Sequence, residues 1–238
     1  NWLAKNNKID GLYLDDIAFS RNTVKRIASV LNRNRESFVI DLHSANQFNN
    51  RDGYINSALL YMEHFPYVSR LWFGEYFEYD LDADYWMTEV SGIPFGLTGE
   101  MLEKGGKPYH GLLYGMTTRV YHNYNPGNLW KLFEDFGIAD SRMIGYWVDN
   151  PPIKVDNKKI KCTVYQKEDK VMITIASWSK KDEFLRLNID WDKLGFDKSK
   201  STLISPMISG LQSRVELKVD QEIRVEKDRG IVLILSKK

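Results

Sequence analysis

The seven residues DGLYLDD, Asp10 to Asp16, run an apolar stretch straight into two adjacent carboxylates. A dry strand has little structural use for paired acids at its end, because unpaired carboxylates are rarely buried. Strand side chains alternate between faces, so Tyr13 and Asp15 share one face and Leu14 and Asp16 the other. If the first face looks into a barrel, Asp15 reaches its mouth and Tyr13 lines the layer beneath. Asp16 then orients Asp15, caps the following loop or touches substrate. A bulge would reverse the assignment. SFVIDLHSAN places Asp41 and His43 on one face of a second strand, where a histidine is also a common structural residue. RLWFGEYFEYD carries Glu75 just beyond Trp72 and Gly74, and LTGEM puts Glu100 after a further strand.

Acids closing successive strands suit three chemistries. A carboxylate pair can cleave a glycosidic bond, one member attacking or activating water and the other protonating the leaving oxygen. A carboxylate cluster can hold a hard cation. An Asp/His/Glu set can carry a metal for hydrolysis. Tyr13, Trp72, Tyr76, Phe77, Tyr79 and Trp86 lie around the acids and tilt the choice toward sugar, whose C–H faces stack on rings. Taken singly, each ring is also what a core contains. Trp72 and its neighbours would shield Glu75 from water, the environment a general acid needs. HGLLYGMTTRVYHNYNPGN supplies His110, Arg119, His122 and Asn123 as a candidate pocket wall, with Asn125-Pro126 as a helix start signal. There is no Gly-x-Ser-x-Gly elbow.

The elements that must position these residues fall into two kinds. Up to about residue 147, short apolar runs alternate with amphipathic stretches. GLYLDD reads as a strand. NTVKRIASVLNRN reads as a helix, with Val24, Ile27, Ala28 and Leu31 on one face and Asn22 or Thr23 as cap. SFVIDLH is a strand, INSALLYMEHFPYV a helix, RLWFGEYFEYD a strand, ADYWMTEVSG a helix and IPFGLTGEM a short strand. NPGNLWKLFEDFGI is the last helix and MIGYW the last strand of this series. Alternation of this kind implies parallel βα units. No Gly-rich phosphate loop follows any strand, and acids at strand ends suit the C-terminal face of a (β/α)8 barrel. The expectation is an α/β region over 1–150, part of a TIM-type barrel. DNPP then marks a junction. From 151 to 238 come CTVYQ, VMITIAS, EFLRLNID, STLISP, RVELKV, EIRVE and GIVLIL, separated by charged turns, the pattern of an antiparallel β-sandwich.

Bulk properties set limits. In 238 residues, 27% are charged, yet the net charge is only +1, which favours neither nucleic acid nor an anionic membrane surface as partner. The single cysteine, Cys162, excludes an internal disulfide framework and a Cys-based zinc site, and its place in a sandwich strand argues against a nucleophilic role. No run of 18 apolar residues is present, so no transmembrane helix is expected. No cofactor or metal is assigned. The chain lacks an initiator Met, and WLAKNNKIDG reads like a helix end entering a strand. The expectation is the C-terminal portion of a longer protein, with the first barrel half and any export signal upstream.

The strand ending in DD after DG, the later strand carrying GE, and GYWVDNPPIKV followed by KCTVYQKEDKVMITIASWSKKDEFLRLNIDWDKLGF resemble the back half of bacterial (β/α)8 glycoside hydrolases with a C-terminal β-sandwich. The likeness is to the group related to α-galactosidases and endo-α-N-acetylgalactosaminidases. The resemblance implies an oligosaccharide or glycan substrate, a retaining hydrolysis and an exported protein. It implies Asp15 as nucleophile and Glu75 as general acid/base. On the residues' own placement Asp15 is expected as nucleophile or base, with Tyr13, Asp16, Asp41, His43, Trp72 and Glu100 as substrate or orienting contacts. The alternatives are a non-catalytic pair of carbohydrate-binding modules and a metal-dependent hydrolase built on the Asp/His/Glu cluster.

Overall fold

In the computed structural model, residues 1–15, 19–43, 61–72, 79–99, 101–102, 107–118, 120 and 125–238 are described. They form two units, Asn1–Glu103 and Lys104–Lys238.

The first unit opens with helix α1 (Trp2–Asn6), strand β1 (Gly11–Asp15), helix α2 (Arg21–Asn32) and strand β2 (Val39–His43). Strands β3 (Arg70–Trp72) and β4 (Thr98–Gly99) follow. The order is β1-β2-β3-β4, and every pairing is parallel. The helix after β1 starts at Ser20 rather than at Asn22 or Thr23, which lie within its first turn. Between β2 and β3 a 3-10 helix covers Met62–Tyr67, where Pro66 cannot donate to a regular α-helical ladder. Between β3 and β4 a single helical turn, Ala83–Tyr85, runs into a π-helical stretch, Trp86–Val90.

Register gives the sheet two different faces. Leu14, Leu42 and Leu71 are register partners, and all are buried. Leu12, of the same parity as Leu14, faces Ala4 of α1 and Ile27, Val30 and Leu31 of α2. This is the helix side, as the alternation in GLYLDD requires. The other face carries Tyr13, Asp15, Asp41, His43, Arg70 and Trp72. Gly11 begins the strand because a Cβ there would lie 2.3 Å from the Val39 carbonyl oxygen. Arg35 braces the entry to β1: its guanidinium donates to the Ala4 carbonyl at 2.7 Å and to the Ile9 carbonyl at 2.9 Å.

The second unit begins with helices α3 (Pro108–Leu112) and α4 (Gly127–Phe136). The Asn125 side chain accepts from Gly127 N–H at 2.9 Å at the start of α4, as its Asn-Pro signal suggests. Gly137, at φ +73°, ends that helix in the left-handed region open to glycine. Ten strands follow. They are β5 (Arg142–Ile144), β6 (Ile153–Val155), β7 (Ile160–Gln166), β8 (Lys170–Ser177) and β9 (Glu183–Leu185), then β10 (Leu187–Ile189), β11 (Ser201–Ser205), β12 (Val215–Leu217), β13 (Ile223–Val225) and β14 (Gly230–Lys237). Six make one antiparallel sheet in the order β12-β11-β14-β8-β7-β5, and β9·β13 and β10·β6 form two further antiparallel pairs. Val164, Ile173, Leu203, Leu233 and Leu235 of the large sheet join Ile153, Leu185, Ile223 and Val225 of the small pairs in one apolar core.

Two expectations change here. The MIGYW strand, β5, pairs antiparallel with β7 and belongs to the sandwich sheet, not to the parallel series. A three-residue apolar strand has no periodicity from which its partner can be read. EFLRLNID is two strands rather than one, split at Arg186, whose N–H is taken by the Asp156 carboxylate.

Candidate active site

Parallel pairing sets side chains of equal height in rows across the sheet. Asp15, His43 and Trp72 form the row at the C-terminal ends of β1, β2 and β3. Tyr13, Asp41 and Arg70 form the row beneath. His43 is the hub of the upper row. Its Nδ1 lies 2.7 Å from Asp15 Oδ1 and 2.7 Å from Tyr13 Oη. The indole of Trp72 packs against the imidazole at 4.6 Å and edge-on to the Tyr13 ring at 4.9 Å. Burial is graded across the cluster: the His43 side chain is 13% exposed and that of Asp15 61%. The carboxylate therefore stands at the open end of a packed imidazole and indole.

In the lower row the Arg70 guanidinium donates to both carboxylate oxygens of Asp41, each at 2.6 Å. Such a fork is directional and fixes both partners. Asp41 lies two residues before the strand end, engaged by a cation. Its place is the floor below the Asp15 row rather than the mouth. Barrel interiors are usually filled by branched apolar side chains, so an ion pair and a phenol in that layer mark a sheet face that is polar for two successive rows.

The model of the glycoside hydrolase 123 TIM-barrel domain matches residues 1–121, and that of the glycoside hydrolase 123 C-terminal domain matches residues 125–236. The chain belongs to glycoside hydrolase family 123.

Solved structures agree on the architecture of this family 123 chain. A GH27 β-L-arabinopyranosidase from Geobacillus stearothermophilus aligns at 12% identity with a TM-score of 0.54, over 95% of this chain and 57% of its own. An α-amylase from Geobacillus thermoleovorans, complexed with acarbose, aligns at 11% identity with a TM-score of 0.54, over 100% of this chain and 62% of its own. The family 123 chain thus spans less than two thirds of either length. At such identities the likeness is one of fold: a TIM-type barrel region followed by a β-sandwich. No curated protein sequence matches the chain. The resemblance to (β/α)8 glycoside hydrolases read from the residues is borne out, and the family is 123.

Of the residues singled out in the sequence, Tyr13, Asp15, His43 and Trp72 come together, with Asp41 one row lower. Asp16, Glu75, Glu100, Tyr76, Phe77, Arg119, His122 and Asn123 lie outside the described residues. Trp86, grouped with the aromatics around the acids, is 0% exposed and packs on Tyr79 at 5.2 Å, so it is core. His110, read as a pocket wall, is buried in the second unit edge-on to Trp178 at 4.3 Å. Cys162 is buried in β7, and burial pushes its thiol up to about 12, which suits a core residue and not a nucleophile. Sequence reasoning missed Arg70. The signal was present, since Arg70 shares the parity of Trp72 in RLW and lies opposite Asp41 once the strands are aligned.

Proposed function

We propose that the protein of which this chain forms part hydrolyses glycosidic bonds in an oligosaccharide or glycan, with Asp15 as one of the two reacting carboxyls. The observation that carries this is the place of Asp15. It ends a parallel strand of a family 123 barrel domain, on the face away from the helices, exposed, and hydrogen-bonded to a packed imidazole. Reacting groups of barrel enzymes sit at the C-terminal ends of strands. An ionised carboxylate only accepts hydrogen bonds, so an imidazole N–H on Oδ1 matches the ionised form and suits a nucleophile or base. Glu75 is proposed as the acid/base and Asp16 as a substrate contact, and Trp72 offers a ring for a sugar face. Export of the protein and a retaining outcome complete the proposal, with the remaining barrel strands supplied upstream.

The test is kinetic, on the full-length protein with a panel of 4-nitrophenyl glycosides. Asp15→Asn and Glu75→Gln should each abolish turnover of the best substrate, while Asp16→Asn should act mainly on KM. A product anomer of the same configuration as the substrate supports retention. Turnover that survives Asp15→Asn would overturn the reading. Turnover that survives Glu75→Gln but is lost with Asp16→Asn would move the acid role to Asp16.

A further inference from the structure

His43 Nδ1 has two oxygens at the same 2.7 Å distance, Asp15 Oδ1 and Tyr13 Oη. One ring nitrogen carries either a proton or a lone pair, never both. With a bare Nδ1, Tyr13 could donate to it, but the lone pair would then face an ionised carboxylate across 2.7 Å. With a proton on Nδ1, both oxygens accept from it and no lone pairs oppose one another. Only the protonated nitrogen is compatible with an ionised Asp15. Resting on the reading of Asp15 given above, we propose that His43 is a positioning residue: its Nδ1–H pins Asp15 Oδ1 and selects Oδ2 as the oxygen that meets the substrate.

Three further observations support this. Among the described residues Asp15 Oδ2 makes no hydrogen bond, while its side chain is 61% exposed, so Oδ2 is the oxygen turned outward. The imidazole cannot swing readily, since Trp72 lies against it at 4.6 Å and only 13% of the side chain is exposed. Strand pairing places His43 directly beside Asp15, so the contact is set by backbone register as well as by rotamers. Tyr13 shares the same proton from the row beneath and thereby holds the ring plane. The group of His43, Tyr13 and Trp72 fixes one torsional setting of Asp15. Misplacing a reacting atom by about 1 Å can cost about 10²-fold in rate.

The experiment uses the full-length protein and the 4-nitrophenyl glycoside it turns over fastest. His43→Leu should lower kcat by about 10²-fold with KM nearly unchanged. His43→Asn, whose amide N–H sits near the place of Nδ1–H, should recover about tenfold or more of that loss. Tyr13→Phe should lower kcat by only a few fold. A His43→Leu variant with unchanged kcat, or with its loss wholly in KM, overturns the proposal. So does a His43→Asn variant no better than His43→Leu. Should the leucine variant misfold, the ring nitrogens of wild-type His43 decide the matter by 15N NMR at neutral pH. A protonated Nδ1 beside a bare Nε2 upholds the proposal, and a bare Nδ1 overturns it. Activity surviving Asp15→Asn would defeat the underlying site reading instead. Activity lost with Asp15→Asn but untouched by His43→Leu would defeat the positioning role alone.

Discussion

The parallel sheet of the first unit and the six-stranded sheet of the second treat polar groups in opposite ways. Across the second sheet, the register row Ile144, Val164, Ile173 and Leu233 is wholly apolar and buried. On its opposite face, the hydroxyls of Tyr165 and Thr174 bind backbone. Tyr165 Oη donates to the Leu112 carbonyl at 2.7 Å, and Thr174 Oγ1 to the Thr163 carbonyl at 3.0 Å. In the first unit, the corresponding face pairs side chain with side chain: carboxylate with imidazole, imidazole with phenol, carboxylate with guanidinium. A hydroxyl spent on a carbonyl is fixed in place and serves folding. A carboxylate held by another side chain, with one oxygen outward, keeps an acceptor for chemistry. The two kinds of sheet therefore differ in which measurement a mutation should disturb.

The contrast can be tested from its strongest consequence downward. Asp15→Asn should abolish turnover, a loss of at least about 10³-fold in kcat, while shifting stability by less than about 0.5 kcal/mol, as expected of an exposed side chain; parallel kinetics and urea unfolding check both. Ile173→Ala, at a fully buried core position, should do the reverse. It should cost about 2–5 kcal/mol in urea unfolding, with activity per folded molecule intact. Asp41→Ala leaves the Arg70 guanidinium without its fork and should cost about 1–3 kcal/mol. The double variant with Arg70→Leu should recover part of that in a double-mutant cycle. A large loss of kcat from Asp41→Ala with unchanged stability would move Asp41 from the floor of the site to its chemistry.

The smaller effects belong to the second unit. Burial raises the Cys162 thiol from its usual value near 9 to about 12. The unfolded chain therefore loses that proton at lower pH than the folded one. The contribution is whole below about pH 9 and disappears as pH rises from there toward 12. Unfolding midpoints of wild type and Cys162→Ala should converge across that window, by up to about 1.4 kcal/mol per pH unit. Tyr165→Phe removes one buried hydrogen bond to a carbonyl and should cost about 1 kcal/mol, read from the same unfolding curves. A loss of activity from either change at constant folded fraction would break the division between the two sheets.

Much of this contrast was visible in the residues. GLYLDD alternates cleanly, so parity alone put Tyr13 and Asp15 together on the face opposite Leu14. VMITIAS and GIVLIL read as sandwich strands from their apolar runs, and both are strands of the large sheet. What stayed hidden was pairing. Nothing local in MIGYW says that Ile144 will meet Val164, because three residues carry no period. Nothing in EFLRLNID shows that its two halves take different partners, since that depends on Asp156 capturing the Arg186 N–H. The Asp41–Arg70 fork joins residues 29 apart in the chain, and only strand alignment makes it legible. The helical reading of ADYWMTEVSG located an element but not its π-helical winding over Trp86–Val90.

The Asp15, His43 and Trp72 row is built from strand ends, one residue per strand, across two interstrand gaps of about 4.8 Å each. Its width is therefore fixed by backbone hydrogen bonding at roughly 10 Å, whatever the connecting segments do. An insertion in a connection after β1 or β2 leaves the row in place, whereas one residue added inside β2 would carry His43 to the opposite face and bring a leucine forward. Inheritance can thus act on the two parts separately. Segments beyond the strand ends are open to change in length and composition, and with them what is admitted, while the group that would do the chemistry keeps its spacing.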